Sequence, residues 1–291
     1  MALIRFGLST HLFHGVPLTR RHLESVARQG FSAVEVFATR THVDYHDPAR
    51  IAELRRWLVE LGLDAWSVHL PICDGFRNGV WGRAYSNASA DAGARREAVD
   101  ETVRAIAAAR DLGCRTAVLH LGLPKGQPIP ANDNDAAAVR KSLEPIADAC
   151  QQAGLQLALE VIPNELAGAA AILEWLTGEL ELGDTAACVD VGHAHLTCGA
   201  SEAIDLLAGY IVTTHIHDNR GRTDDHLVPF DGTIDWVATM TEFWKVGYTG
   251  PLVFEVPDHG DADGTLDRIV AARGRIQAIL DDLALPFPFE E

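Results

Sequence analysis

Eight short apolar runs punctuate the chain, at residues 3–9, 33–37, 65–70, 116–121, 156–161, 186–191, 211–216 and 251–256. Longer amphipathic, alanine-rich stretches separate them, such as 48–61, 94–112, 136–153 and 234–246. Runs this short and this continuously apolar are what strands buried on both faces of a parallel sheet look like. Parallel neighbours need a crossover of a dozen residues or more, usually a helix, which the intervening stretches supply. Gly30, Gly62, Gly113, Gly154 and Gly247 each stand just after a helical stretch and shortly before a strand, as helix C-caps do. Eight βα units without a linker, low-complexity segment or shift of composition predict one domain over residues 1–291, of the α/β class and closed as a (β/α)8 barrel. An open doubly wound sheet shares the alternation, but no GxGxxG follows the first run.

Such a barrel carries its chemistry at the C-terminal ends of its strands. Six consecutive runs end there in a histidine or an acid: His69, His120, Glu160, Asp190 with His193 three residues on, His215 with His217, and Glu255. Strand alternation puts His215 and His217 on one face. Carboxylates converging in an apolar barrel repel one another and resist ionising unless a cation sits among them. Imidazole nitrogen and carboxylate oxygen are also the donors that divalent ions prefer. The polar loop after the seventh run adds Asp224 and His226. Glu35 lies inside the second run, where a buried acid needs partners, and is expected to orient the ligands from behind. His11 and His14 read as solvated loop residues, and His195 as structural. The longest irregular stretch, 71–90, contains Arg77, Trp81, Arg83 and Tyr85 and is expected to lie over the active face.

Charge narrows the partners. With 41 acidic against 24 basic residues the net charge is -17, which argues against broad affinity for nucleic acid or membrane surfaces. A locally basic pocket stays open to Arg40, Arg77, Arg83, Lys125, Arg220 and Arg222. The five cysteines form no CxxC pair and read as buried free thiols in a reducing compartment. The N-terminus lacks the apolar core of a signal peptide and no apolar run reaches ~18 residues, so a cytoplasmic protein without a membrane partner is expected.

In these strand-end residues the chain resembles the xylose isomerase-like TIM barrels, a superfamily joining sugar isomerases and epimerases with endonuclease IV. The likeness runs from Leu3 to about Ile279. For the sugar epimerases it implies one divalent ion held by Glu160, Asp190, His215 and Glu255, with His193 beside them and His217 competing for the role of His215. It also implies that Glu160 and Glu255 are the acid/base pair, moving a proton next to the carbonyl of a sugar or sugar phosphate through a metal-stabilised enediolate. His69, His120, His193, His217 and Arg220 or Arg222 would then contact substrate. Mn2+ or Zn2+ is the expected ion, with Mg2+ or Co2+ as alternatives. Barrels of this kind commonly assemble as homo-oligomers.

The endonuclease IV pattern of three zinc ions and nine ligands also fits, through His69, His120, Glu160, Asp190, His193, His215, Asp224, His226 and Glu255. Its longer signature segments are not recognisable here, where the chain reads Val68-His-Leu-Pro-Ile-Cys73, Leu119-His-Leu-Gly-Leu-Pro124 and Val189-Asp-Val-Gly-His-Ala-His-Leu196. The Gly-His-Ala-His wording and the segment from Asp225 to Trp236 instead resemble uncharacterised sugar phosphate isomerase/epimerase members. The expectation is therefore a metal-dependent sugar isomerase or epimerase, with an endonuclease IV-like multinuclear zinc phosphodiesterase acting on abasic DNA as the alternative. A non-catalytic carbohydrate- or metal-binding barrel is a third reading, against which the two acid/base carboxylates stand.

Overall fold

Apolar strand residues dictate a sheet that hides both faces, and the chain meets that demand by closing the sheet on itself. The computed structural model describes residues 5–124, 134–178, 180 and 182–284. In chain order the strands are β1 (Phe6–Ser9), β2 (Ala33–Phe37), β3 (Asp64–His69), the short pair β4 (Phe76–Arg77) and β5 (Val80–Trp81), β6 (Thr116–Leu119), β7 (Gln156–Glu160), β8 (Ala186–Asp190), β9 (Ile211–Ile216) and β10 (Leu252–Phe254). All but β4 and β5 form a closed parallel barrel in the order β1-β10-β9-β8-β7-β6-β3-β2, with β1 pairing both β10 and β2. The (β/α)8 expectation holds.

The helices are α1 (Arg20–Arg28), α2 (Pro48–Leu61), α3 (Ala92–Leu112), α4 (Ala136–Ala153), α5 (Ala169–Thr177), α6 (Val191–His195), α7 (Ala200–Leu206), α8 (Trp236–Lys245) and α9 (Ala262–Ala284). Their limits follow from local chemistry. Pro48 fits the first turn of α2, where no N–H is needed, and Asp47 caps that turn by accepting from Ala49 N–H at 2.9 Å. Gly62, Gly113 and Gly154 take left-handed backbone (φ 67°, 86° and 71°) that stops α2, α3 and α4.

The stretch expected to be irregular is in fact a two-stranded ribbon. Tyr85 N–H bonds the Ile72 carbonyl at 2.9 Å, Asp74 N–H the Arg83 carbonyl at 3.0 Å, and Gly82 N–H the Gly75 carbonyl at 2.8 Å. Asn78 and Gly79 make its turn with φ of 54° and 78°. Asn-Gly is the pair that a tight primed hairpin turn favours, and this signal went unused in the sequence reading. The ribbon does stand over the strand ends, where Trp81 reaches the cavity described below.

Cys73, Cys114, Cys150 and Cys188 are buried thiols as expected, whereas Cys198 is exposed. Among the described residues no helix is long and apolar enough to cross a membrane.

His42 illustrates how the packing beneath this face depends on pH. It is buried, with its Nδ1–H donating to the Val16 carbonyl at 2.6 Å. Burial lowers its pKa to about 4. The unfolded chain therefore takes a proton near pH 6.5 that the folded chain refuses until pH 4, so this group's contribution is present above 6.5 and lost as pH falls to 4. Wild-type unfolding free energy should fall by about 3 kcal/mol more across that window than that of His42→Gln, as measured by urea denaturation.

Candidate metal centre

The parallel register brings four strand ends to one point. Asp190 pairs with His215 across β8 and β9, His215 with Val253 across β9 and β10, and Glu160 with Cys188 across β7 and β8. Glu160, Asp190, His215 and Glu255, all buried, thereby offer ligand atoms within 4.8 Å of one another. His215 Nδ1 lies 3.1 Å from Glu160 Oε1, 3.4 Å from Glu255 Oε2 and 3.6 Å from Asp190 Oδ2. Its other nitrogen, Nε2, is 3.1 Å from Glu35 Oε2, which also accepts from the Ser67 hydroxyl at 2.8 Å. With Nε2–H donating to Glu35, Nδ1 is the nitrogen left facing three carboxylates, an arrangement that calls for a proton or a cation between them.

Two further groups adjoin this one. His69 and His120 place their Nε2 atoms 3.2 and 3.0 Å from Glu160 Oε2. His120 Nε2 and Glu160 Oε2 are nonetheless not aligned as a hydrogen bond. Two close, buried polar atoms without that alignment fit donors to a shared cation better than partners to each other. On the far side His193, His217, Asp224 and His226 form a third group. Asp224 Oδ2 is 3.0 Å from His193 Nε2 and 3.1 Å from His226 Nε2. His217 stacks on His226 with ring centroids 3.8 Å apart and meets Asp190 Oδ1 at 2.9 Å.

The electrostatics point the same way. Burial by itself lowers a histidine pKa, yet the Glu160, Glu255 and Glu35 carboxylates hold His69 raised to about 9. Burial is likewise overridden at His193, which Asp190 and Asp224 hold well above the ordinary value. The pocket demands positive charge, and imidazole with carboxylate is the donor set of Zn, Mn and related divalent ions. The residues fit such an ion.

The comparisons with known proteins bear on the family and the fold. Residues 23–278 match the family described as the xylose isomerase-like TIM barrel. The chain belongs to that family. An uncharacterized protein of Methanocaldococcus jannaschii, MJ1311, is 27% identical over 274 residues, 89% of this chain and 86% of that protein. A second match, to the uncharacterized protein y4fM of Sinorhizobium fredii, is 42% identical over 71 residues, so this chain spans only 23% of y4fM's length. Among solved structures, a D-tagatose 3-epimerase-like protein superposes with a TM-score of 0.77 at 22% identity, covering 97% of this chain and 100% of that one. The IOLI protein with a bound zinc atom superposes with a TM-score of 0.73 at 15% identity, covering 96% and 99%. At these identities the superpositions speak for the shared fold.

How this family member holds its donors in place is visible in the loop after β9. The Asp218 carboxylate is fully buried and accepts from Phe230 N–H at 2.9 Å, Ile234 N–H at 3.2 Å and the Trp236 indole N–H at 2.9 Å. Asp218 and Leu227 also exchange backbone hydrogen bonds at 2.8 and 2.7 Å. The segment carrying Asp224 and His226 is thus closed into a loop around one carboxylate. Gly192 completes the fit, since a Cβ there would collide with the His217 ring.

One expectation needs correction. His11 and His14 are not solvated, because both are buried, each 8% exposed. His11 stacks on Phe37 at 4.5 Å, and its Nδ1 stands 3.6 Å from Glu255 Oε1. Together with His226 and Glu255 it makes a further group of donors. Its place just beyond β1, level with the other strand ends, was the available signal. Glu35 meets its expectation, reaching His215 from behind. His195 reaches Thr233 Oγ1 at 3.0 Å and belongs to none of the donor groups. Arg220 and Arg222 are exposed and neither lines the cavity. Arg40 pairs with Asp44 and Arg83 with Glu97, while Lys125 lies outside the described residues.

Two predictions follow from this support. Glu35→Gln removes the carboxylate that fixes the His215 tautomer, so metal affinity should fall roughly 10–100-fold while the fold survives, as read by competition with a chromophoric chelator. Asp218→Asn turns one acceptor oxygen into a donor facing N–H groups. It should lower stability by about 2–4 kcal/mol in denaturant titration, whether or not metal is bound.

Proposed function

We propose that the protein is a divalent-metal-dependent isomerase or epimerase that moves a proton on the sugar carbon next to a carbonyl. One observation carries this reading: Glu160, Asp190, His215 and Glu255 converge on consecutive strand ends, and Glu255 opens onto a cavity of about 290 Å³ that no lysine or arginine lines among the described residues. Without lysine or arginine the cavity lacks the usual phosphate clamp of a polyanion site, and the net charge of -17 acts in the same sense. Fold-level likeness to a D-tagatose 3-epimerase-like protein and to a zinc-binding relative supports a sugar substrate and a divalent ion.

Asp190 and His215 would hold the ion, with Glu160 and Glu255 as further ligands. A divalent ion bound there supplies Lewis-acid stabilisation for charge developing on substrate oxygens. Glu255, the least enclosed of the four at 3% exposure, takes the proton from carbon, and Glu160 returns one from the other side. His69, His120 and His193 hydrogen-bond the hydroxyls and fix the sugar between the two carboxylates. The four buried thiols suit a reducing, cytoplasmic setting.

A second reading, multinuclear phosphodiester hydrolysis, is favoured by the placement of Glu160. Its Oε1 faces His215 and its Oε2 faces His69 and His120, as a carboxylate bridging two ions would. Two ions about 3.5–4 Å apart are a common device for displacement at phosphorus.

Metal content per chain and solvent deuterium uptake decide between the two. Wild type with Mn2+ should label at least one ketose next to its carbonyl. Glu160→Gln and Glu255→Gln should each lower that exchange by ~10²–10⁴, with metal content measured alongside because an amide is also a poorer ligand. Three ions per chain, no exchange with any sugar and cleavage of abasic-site DNA would refute the isomerase reading and establish the hydrolase.

A further inference from the structure

Beside the donor cavity lies a second one of about 70 Å³, and Ile72, Trp81, His120 and Pro124 line both. The two are therefore immediate neighbours, with these four side chains between them. Leu70 and Leu119 from the strand ends, Leu123, and Ala98 from α3 form much of the wall of the smaller one, the annex. Of its polar side chains, Asn87 donates to the His120 carbonyl at 2.7 Å and accepts from Gly122 N–H at 3.1 Å, and the Cys73 thiol donates to the Gly75 carbonyl at 3.4 Å, while Tyr85, Thr102 and His120 also line the space. Among the described residues no lysine or arginine lines it. An apolar group lying against Leu70, Ala98, Leu119 and Leu123 would gain from leaving water, and a phosphate would meet no lysine or arginine.

Trp81 closes this space from the ribbon. It is 39% exposed, unusual for so large an apolar side chain, yet it is held firmly in place. Its indole stacks on His14 with centroids 4.9 Å apart and planes 10° from parallel, and Phe76 meets it edge-on at 4.7 Å. An exposed aromatic fixed at the junction of a polar and an apolar cavity is placed to select what passes between them.

We propose that the substrate is a keto sugar bearing a compact apolar group, such as an alkyl ketoglycoside or an acylated ketose, that this group lies in the annex beneath the ribbon, and that Trp81 determines which groups are accepted. The proposal rests on the reading of the donor groups as the reacting centre. It goes beyond that reading by excluding free polyols and sugar phosphates as the preferred class.

The test uses two hydroxamates that share a metal-binding head, acetohydroxamate and isovalerohydroxamate, titrated into the full-length metal-loaded protein by calorimetry. Isovalerohydroxamate should bind roughly tenfold tighter or more, because its isobutyl tail is removed from water in the annex. Trp81→Ala should erase most of that preference. Ala98→Leu, which fills the annex from the opposite wall, should erase it as well, with thermal unfolding confirming that the variant is folded. Equal affinities in wild type, or a preference that survives Trp81→Ala, overturn the proposal. Elemental analysis of the same samples separates the two levels: protein that takes up no ion overturns the reading of the centre, and ion-loaded protein with equal affinities overturns the apolar substituent alone.

Discussion

Mutual repulsion among buried carboxylates is the constraint on which the mouth of this barrel depends. Glu35, Glu160, Asp190 and Glu255 stand together with at most 3% exposure each. Such a set is tolerable only where compensating positive charge is close, because desolvation and repulsion both oppose ionisation. Six histidines surround the acids, and His69 and His193 are held protonated beyond the usual range by those same acids. The barrel's closure is what makes the concentration of charge possible. Each strand delivers one or two donors, and no strand has to carry like charges on adjacent inward positions.

Support for the donors comes from behind and from the loops, in two distinct ways. Within the barrel it is polar, as Glu35 and Ser67 form a hydrogen-bonded chain to His215. Outside the barrel it is a backbone device, with the Asp218 carboxylate gathering N–H groups from Phe230 and Ile234 so that Asp224 and His226 lie against β9. Both work by fixing a direction as well as a position, which a metal centre requires of its ligands.

Much of this architecture was legible in the sequence, for identifiable reasons. The limits of α2 and α4 came out to the residue because Pro48, Gly62 and Gly154 mark them chemically. Strand ends on the active face were overextended, 116–121 against Thr116–Leu119 and 251–256 against Leu252–Phe254. Leu121 and Val256 are buried although they have left the strands, and an apolar run reports burial rather than hydrogen bonding. His69, His120, Glu160, Asp190, His215 and Glu255 could be read because each stands at the end of an apolar run. Which donors share a point could not, since that grouping is set by register across strands distant in sequence. His11 was misjudged for a related reason: its burial comes from Phe37 and from a ribbon about seventy residues away.

The histidines show how far the shell around a site can determine its chemistry. His69 Nδ1–H donates to the Leu70 carbonyl at 3.0 Å and His226 Nδ1–H to the Glu255 carbonyl at 3.0 Å, so each turns Nε2 inward. His193 is similar, with Nδ1 3.2 Å from the Val161 carbonyl and Nε2 towards Asp224. His215 is the reverse, because Glu35 engages Nε2 and leaves Nδ1 for the acids. Backbone carbonyls cannot donate and a buried carboxylate strongly accepts, so these partners fix the tautomers before any ligand arrives. The inward nitrogens are thereby prepared to act as lone-pair donors to a cation, each needing only to shed the proton that the carboxylates otherwise retain on it. A divalent ion held there would have to displace those protons, because metal ligands bind in their deprotonated form.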